Sequence, residues 1–400
     1  MLKIKKPNLL VLIILAIASG ILCGNFFPES IVRIFVTFNS LFSNFLGFCI
    51  PLIIIGFVAP AISDLGLRAG KMLLATVGLA YGVTLGAGFL SYFVSDSLFP
   101  TMIEALPREE TLTTSSELNP YFTIGMPPVI DIMSALVISF LIGIGMTQIK
   151  RPSSSIKNFM EEFREIISWV IGKIIVPLLP LYIFGIFLKM SVTGEVSSVL
   201  SAFSKIILVI FALHLLWLFI LYFAGALFSR GEKNPFKLIW MMLPAYFTAL
   251  GTSSSAATIP VTLRQTIKMG VDEDIAGFTV PLCATIDLSG SALKIVACAV
   301  ALMLMQNMPY DFGMFAYFVA MMGVALVAAP GVPGGSIMAA VGILSSILGF
   351  SESDCALMIA LYIAMDSFGT ACNVTGDGAI ALIIDRFFGK KLPQKEMELI

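Results

Sequence analysis

Apolar residues dominate six stretches of this chain, at about 8–27, 31–63, 72–98, 126–149, 166–190 and 199–228, with polar or charged residues between them. At a rise of about 1.5 Å per residue each stretch is long enough to cross a hydrocarbon layer of about 30 Å, and the longer ones cross it tilted. None carries a carboxylate at its centre. They predict six ordinary membrane-spanning helices. The linkers RPSSSIKNFMEEFRE (151–165) and SRGEKNP (229–235) are rich in turn formers and charge, and the second divides the chain into unlike halves.

From 236 onward two apolar segments are each interrupted near the middle. In the first, FKLIWMMLPAYFTAL gives way to GTSSSAA (251–257) and then TIPVTLRQTI; in the second, MFAYFVAMMGVALVA gives way to APGVPGG (329–335) and then SIMAAVGILSSILGF. Arms of about 13–16 residues reach only about 20–24 Å at the helical rise, too short for a comfortable crossing. Both segments read as re-entrant hairpins, at 236–268 and 312–350. Irregular backbone at membrane depth is tolerated only where it is buried in protein or lines a wet cavity, so the two tips are expected to meet around something polar. Paired Gly/Pro-broken segments of this kind point to the binding site of a secondary transporter.

Each hairpin is followed by a helix with charge at membrane depth. Helix 7 (275–305) carries Asp287 and Lys294, with Gly290 between serines predicting an unwound centre. Helix 8 (354–386) places Asp366, Thr370, Asn373 and Asp377 at steps of four, three and four, which puts them on one face. A carboxylate at the bilayer centre costs at least ~2.5 kcal/mol, so these three aspartates require cationic partners or water.

Composition narrows the class. The chain has 400 residues, 58% hydrophobic and 12% charged, where soluble domains are about half apolar and a quarter charged. It reads as an all-α polytopic membrane protein. A net charge of −1 gives no support to nucleic-acid binding. The six cysteines lie in or beside apolar runs without CxxC spacing and read as packed free thiols. His214 is the lone histidine, and the serines of GTSSSAATIP have no base nearby in sequence, so an enzyme is not expected. Lys3, Lys5 and Lys6 precede the first apolar run, which reads as a first spanning helix and not as a cleaved leader. With Arg68, Lys71, Lys150, Arg151, Arg230–Lys237 and Arg386–Lys395 they predict both termini on the cytoplasmic side of an inner (plasma) membrane, whereas PREETLTTSSELNP (107–120) is acidic and polar.

SSSAATIP, TIDLSGSAL, PGVPGG and DSFGTACNVTGD, in this order and at these separations, resemble the four signature segments of the dicarboxylate/amino acid:cation symporter family, the glutamate and neutral amino acid transporters. The resemblance covers essentially the whole chain. It implies an elevator-type transporter fold with inverted repeats, eight transmembrane helices plus the two hairpins, assembled as a homotrimer in the lipid bilayer. Residues 1–71 (helices 1 and 2) would be scaffold and 72–98 (helix 3) part of the transport domain. Within 99–228, helices 4 and 5 would be scaffold and helix 6 transport, with 236–400 as the transport core.

By the same resemblance Ser254 and Ser255 match substrate-contacting serines, and the hairpin tip offers N–H groups at the start of a half-helix, a setting suited to a carboxylate. Asp366 matches the aspartate that holds a substrate ammonium, Thr370 its hydroxyl neighbour, and Asn373 the amide that contacts substrate. Ser291, Val332, Gly334 and Gly369 complete the expected substrate set. Sodium, a hard ion, requires oxygen ligands. The implied ligands are Asp377, helped by carbonyls near Asn373 and Asp287, and for a second ion carbonyls around Thr285 and Ala329.

The chain departs from the family pattern in three places. Gly369 stands where acidic-substrate members carry an arginine, which favours a neutral substrate. The family's NMDGT reads DLSGS, with Asp287 in place of its asparagine and Ser289 in place of its aspartate, and helix 3 offers Gly78 and Leu79 in place of hydroxyls, so two sodium sites are expected and a third is not, unless Asp287 creates a variant of it. Lys294 stands where an aromatic is common; three roles are open to it, an ion pair with Asp287, replacement of a coupling ion, or recognition of an acidic substrate. The expected function is sodium-driven import of a small neutral amino acid such as serine, threonine or alanine. An acidic or dicarboxylate symporter, coupling to protons, and a mainly anion-conducting channel are the alternatives.

Overall fold

The computed structural model describes residues 9–65, 71–103, 118–130, 132–148, 155–194, 196–327, 329 and 334–389. Among them there are helices and no strands. The first half holds α1 (Leu9–Gly24), α2 (Glu29–Leu65), α3 (Lys71–Met102), α4 (Ile132–Gln148), α5 (Ser155–Val170), α6 (Val176–Thr193) and α7 (Val196–Phe228). One π-helical turn, Ile171–Ile175, joins α5 to α6, so 155–193 is a single continuous helix. The linker expected at 151–165 is therefore helical from Ser155 onward. Its charges occupy one side while Met160 and Ile167 are buried and Phe163 packs beside Gly56, a spacing of three and four that belongs to an amphipathic helix.

The second half is built from pairs of short helices. α8 (Pro235–Thr252) and α9 (Ser255–Lys268) form the first expected hairpin, and α12 (Phe312–Val327) and α13 (Gly335–Leu348) the second. Helix 7 is split into α10 (Glu273–Ile286) and α11 (Ser289–Met305), and helix 8 into α14 (Glu352–Ala364) and α15 (Asp366–Phe388). The split of helix 7 falls at Asp287–Leu288, just before Gly290, which lies in the first turn of α11. The split of helix 8, at Met365, was not expected.

Local chemistry sets these boundaries. Asn234 accepts from the Phe236 and Lys237 N–H groups ahead of Pro235, and Asp272 accepts from Asp274 and Ile275, as helix N-termini require. Ser351 and Asp354 form a reciprocal capping box for α14. At the first hairpin tip Ser253 turns left-handed (φ 50°) and ends α8, and Ser254 caps α9 by accepting from Ala257.

Among the described residues six helices are long and apolar enough to cross a membrane: Glu29–Pro60, Lys71–Met102, Ser155–Thr193, Leu200–Phe228, Glu273–Met305 and Asp366–Phe388. The most apolar window of Glu273–Met305 is 94% buried and that of Lys71–Met102 only 33%, so α10–α11 is the centre of the molecule and α3 lies at its edge. α15 packs against α7, α8, α9, α10 and α11, and α11 against α3; α1 packs mainly on α6, and α2 mainly on α4, α5 and α6, with lesser contacts from this second group to α12, α13 and α14. Arg230 donates to the carbonyls of Arg386 and Gly389 and pairs with Asp385, which brings two of the expected cytoplasmic basic clusters to one end.

Candidate functional site

The breaks of α8/α9, α10/α11 and α14/α15 and the end of α12 converge on one cavity of about 70 Å³. It is several times the ~10–15 Å³ that a single water needs. Its wall contains Ser254, Ser255, Thr285, Ser291, Ala329, Asp366, Thr370 and Asn373, all expected from sequence, together with Ser253, Ser336 and Tyr362, which were not. Gly334, Gly369, Asp287, Asp377, Ser289 and Lys294 stand outside that wall. Val332 lies outside the described residues.

Several wall residues are held by neighbours. The Ser253 and Ser367 hydroxyls meet at 2.7 Å, tying the first hairpin tip to α15. The hydroxyls of Ser291 and Tyr362 meet at 2.9 Å, and Thr370 Oγ1 donates back to the Asp366 carbonyl at 2.9 Å. Asn373 was expected to face substrate, yet its Oδ1 accepts the Gly290 N–H at 2.7 Å and its Nδ2 donates to Ser291 Oγ at 3.4 Å. It thus satisfies an N–H that the first turn of α11 leaves without an intrahelical partner. His214 of α7 donates from Nε2 to the Gly290 carbonyl at 3.0 Å. A side chain on Gly290 would meet the Gly369 carbonyl at 2.6 Å and Cys372 Cβ at 2.7 Å, so glycine is required for α11 and α15 to come this close.

Lys294 does not pair with Asp287. Its fully buried ammonium lies 3.3 Å from Asp366 Oδ1, 3.5 Å from the Met365 carbonyl and 3.5 Å from the centroid of the Tyr362 ring. The break at Met365 puts Asp366 at the start of α15, and the Met365 carbonyl is shared between the lysine and the Phe368 and Gly369 N–H groups at 3.1 Å. The other Asp366 oxygen accepts the Gly334 N–H at 3.1 Å. Nor is the room at Gly369 open: a Cβ there would meet Lys294 Cε at 2.5 Å and Nζ at 2.6 Å. The glycine that predicted a small uncharged subsite instead gives passage to a lysine.

Below the cavity wall, Asp287 Oδ1 accepts the Ser289 N–H at 3.3 Å. Asp287 Oδ2, Thr375 Oγ1 and both carboxylate oxygens of Asp377 are buried without a hydrogen-bond partner among the described residues. Asp287 Oδ2 and Ser289 Oγ lie 3.1 and 3.9 Å from where a Cβ on Gly376 would stand, so the two segments adjoin between Thr375 and Asp377. Buried charge without a partner is costly, and oxygens of this kind suit a hard monovalent cation. No cluster of three or more His, Cys, Asp or Glu occurs among the described residues, which gives no support to a transition metal.

Residues 9–387 match the sodium:dicarboxylate symporter family. The chain belongs to that family. Its members are transporters, which agrees with the expectation that this is not an enzyme. Among relatives of this family member, the mouse (Mus musculus) excitatory amino acid transporter 4 is 28% identical over 308 residues, 75% of this chain and 52% of the relative. The rat (Rattus norvegicus) excitatory amino acid transporter 1 is 29% identical over 297 residues, 73% and 52% of the two chains. The rat neutral amino acid transporter B(0) is 28% identical over 277 residues, 68% and 49%. The chain spans about half the length of these curated relatives. Relatives named for excitatory and for neutral amino acids stand at the same identity, so similarity does not choose between substrates.

Proposed function

We propose that this protein is a secondary symporter that couples the entry of sodium to the import of a small solute bearing a carboxylate. The observation that carries this reading is the cavity at the junction of the broken helices, walled by hydroxyls and by the N-terminus of α9, and adjoined by buried carboxylate oxygens without partners. Half-helix N-termini favour the solute's negative group, while Asp377 and Asp287 provide oxygens for the coupling cation. Two sodium ions, one at Asp377 and one near Thr285 and Ala329, remain the assignment. The packing of α1, α2, α4, α5 and α6, which is mainly with one another, supports their role as scaffold, with α3 and α7–α15 as the moving domain of an elevator. Eight spanning helices, a homotrimer, an inner-membrane location and cytoplasmic termini complete the reading.

Serine, threonine and alanine were favoured because Gly369 promised empty room; Lys294 fills it, so that ground no longer separates neutral from acidic solutes. The test is uptake into proteoliposomes of labelled serine, aspartate and succinate, with and without an inward sodium gradient. Saturable uptake that collapses without the gradient is expected. Current without saturable, sodium-driven uptake of any of the three would sink the symporter in favour of a channel.

A further inference from the structure

Among the described residues Asp366 is the sole carboxylate in the cavity wall, so it is the ionised acceptor there for a solute's ammonium. Both Asp366 oxygens are already engaged, Oδ1 by the Lys294 ammonium and Oδ2 by the Gly334 N–H. The lysine also has what a bound ammonium needs, a carboxylate, a backbone carbonyl and an aromatic face. The rest of the polar wall consists of hydroxyls and the start of α9, groups that donate hydrogen bonds to an anion.

We propose that Lys294 is a specificity-determining residue: its ammonium stands in for that of the solute, so the protein selects small carboxylates that lack an amino group. Gly369 belongs to the same device, since any larger residue would collide with the lysine stem. An amino acid entering the cavity brings a second ammonium beside Lys294, where the carboxylate that would hold it is already shared with the lysine and the Gly334 N–H. Displacing Lys294 to make room would leave a buried charge unpaired, which is strongly unfavourable. A carboxylate with hydrogen or hydroxyl in place of the amino group does not compete with Lys294 for Asp366.

This inference rests on the symporter reading and narrows its substrate. The experiment uses the purified full chain in detergent with sodium present, and measures affinity for two matched pairs by calorimetry, succinate against aspartate and lactate against alanine. The member without an ammonium is expected to bind at least about tenfold more tightly in each pair, a factor typical of one well-placed polar interaction. Lys294→Met, which keeps the bulk and removes the charge, frees Asp366 and is expected to shrink or invert both ratios by about tenfold. Amino members that bind as well as or better than their partners to the unaltered protein overturn the proposal, as does a folded Lys294→Met variant with unchanged ratios. If the variant does not fold, the ratios of the unaltered protein decide. Sodium-dependent binding of amino acids alone removes the role of Lys294 and leaves the symporter standing; no binding in either pair, with no effect of sodium on thermal unfolding, removes both.

Discussion

Substituting Gly369 by alanine tests whether the lysine occupies the room beside α15. The new Cβ would lie 2.5 Å from Lys294 Cε and 2.6 Å from Nζ, where carbon contacts settle near 3.5–4.0 Å. Relief requires a shift of the ammonium by about 1 Å, enough to take it from 3.3 Å to beyond the ~4 Å reach of an ion pair with Asp366. Overpacking of this kind costs about 1–3 kcal/mol. In a background where both charges are removed, Lys294→Ala with Asp366→Asn, the collision is gone. Gly369 lies within α15 and does not have a positive φ, so alanine there gains up to ~1 kcal/mol of helix propensity. The same substitution is thus expected to destabilise one background and leave the other unchanged or slightly stabilised, a coupling of about 1–3 kcal/mol because the propensity gain is common to both. That is well above the ~0.3–0.5 kcal/mol scatter of independent sites. Unfolding in mixed micelles of increasing SDS fraction measures all four proteins. Equal effects of Gly369→Ala in the two backgrounds would refute the contact and, with it, the account of why glycine stands here.

Other consequences are simpler to state. Asp377→Asn is expected to raise stability in sodium-free buffer by about 1–3 kcal/mol, because an unpartnered buried charge is removed, and to abolish the stabilisation by added sodium that the same unfolding assay reads in the unaltered protein. Gly290→Ala drives a carbon into backbone and a buried Cβ, neither of which can swing away, and is expected to cost about 3 kcal/mol or more, seen as loss of folded protein on size exclusion. Ser253→Ala removes the bond to Ser367 and should lower stability by about 1 kcal/mol, with Ser367→Ala adding little further once Ser253 is absent.

The hairpins were legible because clustered Gly, Pro and consecutive Ser interrupt an apolar run where single prolines such as Pro51 and Pro281 stay within a helix, and the Asp366–Asp377 spacing kept its helical face because all four residues fall within α15. The positions of the two internal breaks were not. Whether a helix opens at Asp287 or at Gly290 depends on which backbone groups a neighbouring helix can satisfy, and Asn373, 83 residues away, supplies that partner. The partner of Lys294 was hidden for the same reason: Asp287 is nearer in sequence, but Asp366 is brought close by a break at Met365 that no glycine or proline announces. The helix at 155–170 was missed through weighing its charges over the three- and four-residue spacing of Met160, Phe163 and Ile167.

The Gly290 peptide is gripped from two directions, its N–H by Asn373 of α15 and its carbonyl by His214 of α7. An interruption in a helix is commonly pictured as a joint about which the two pieces can swing. Here the interruption is a weld. Three helices are fastened at one residue, and at that residue no side chain separates α11 from α15 to act as a cushion. The least regular backbone at the centre of the protein is thereby also one of its most tightly cross-linked points.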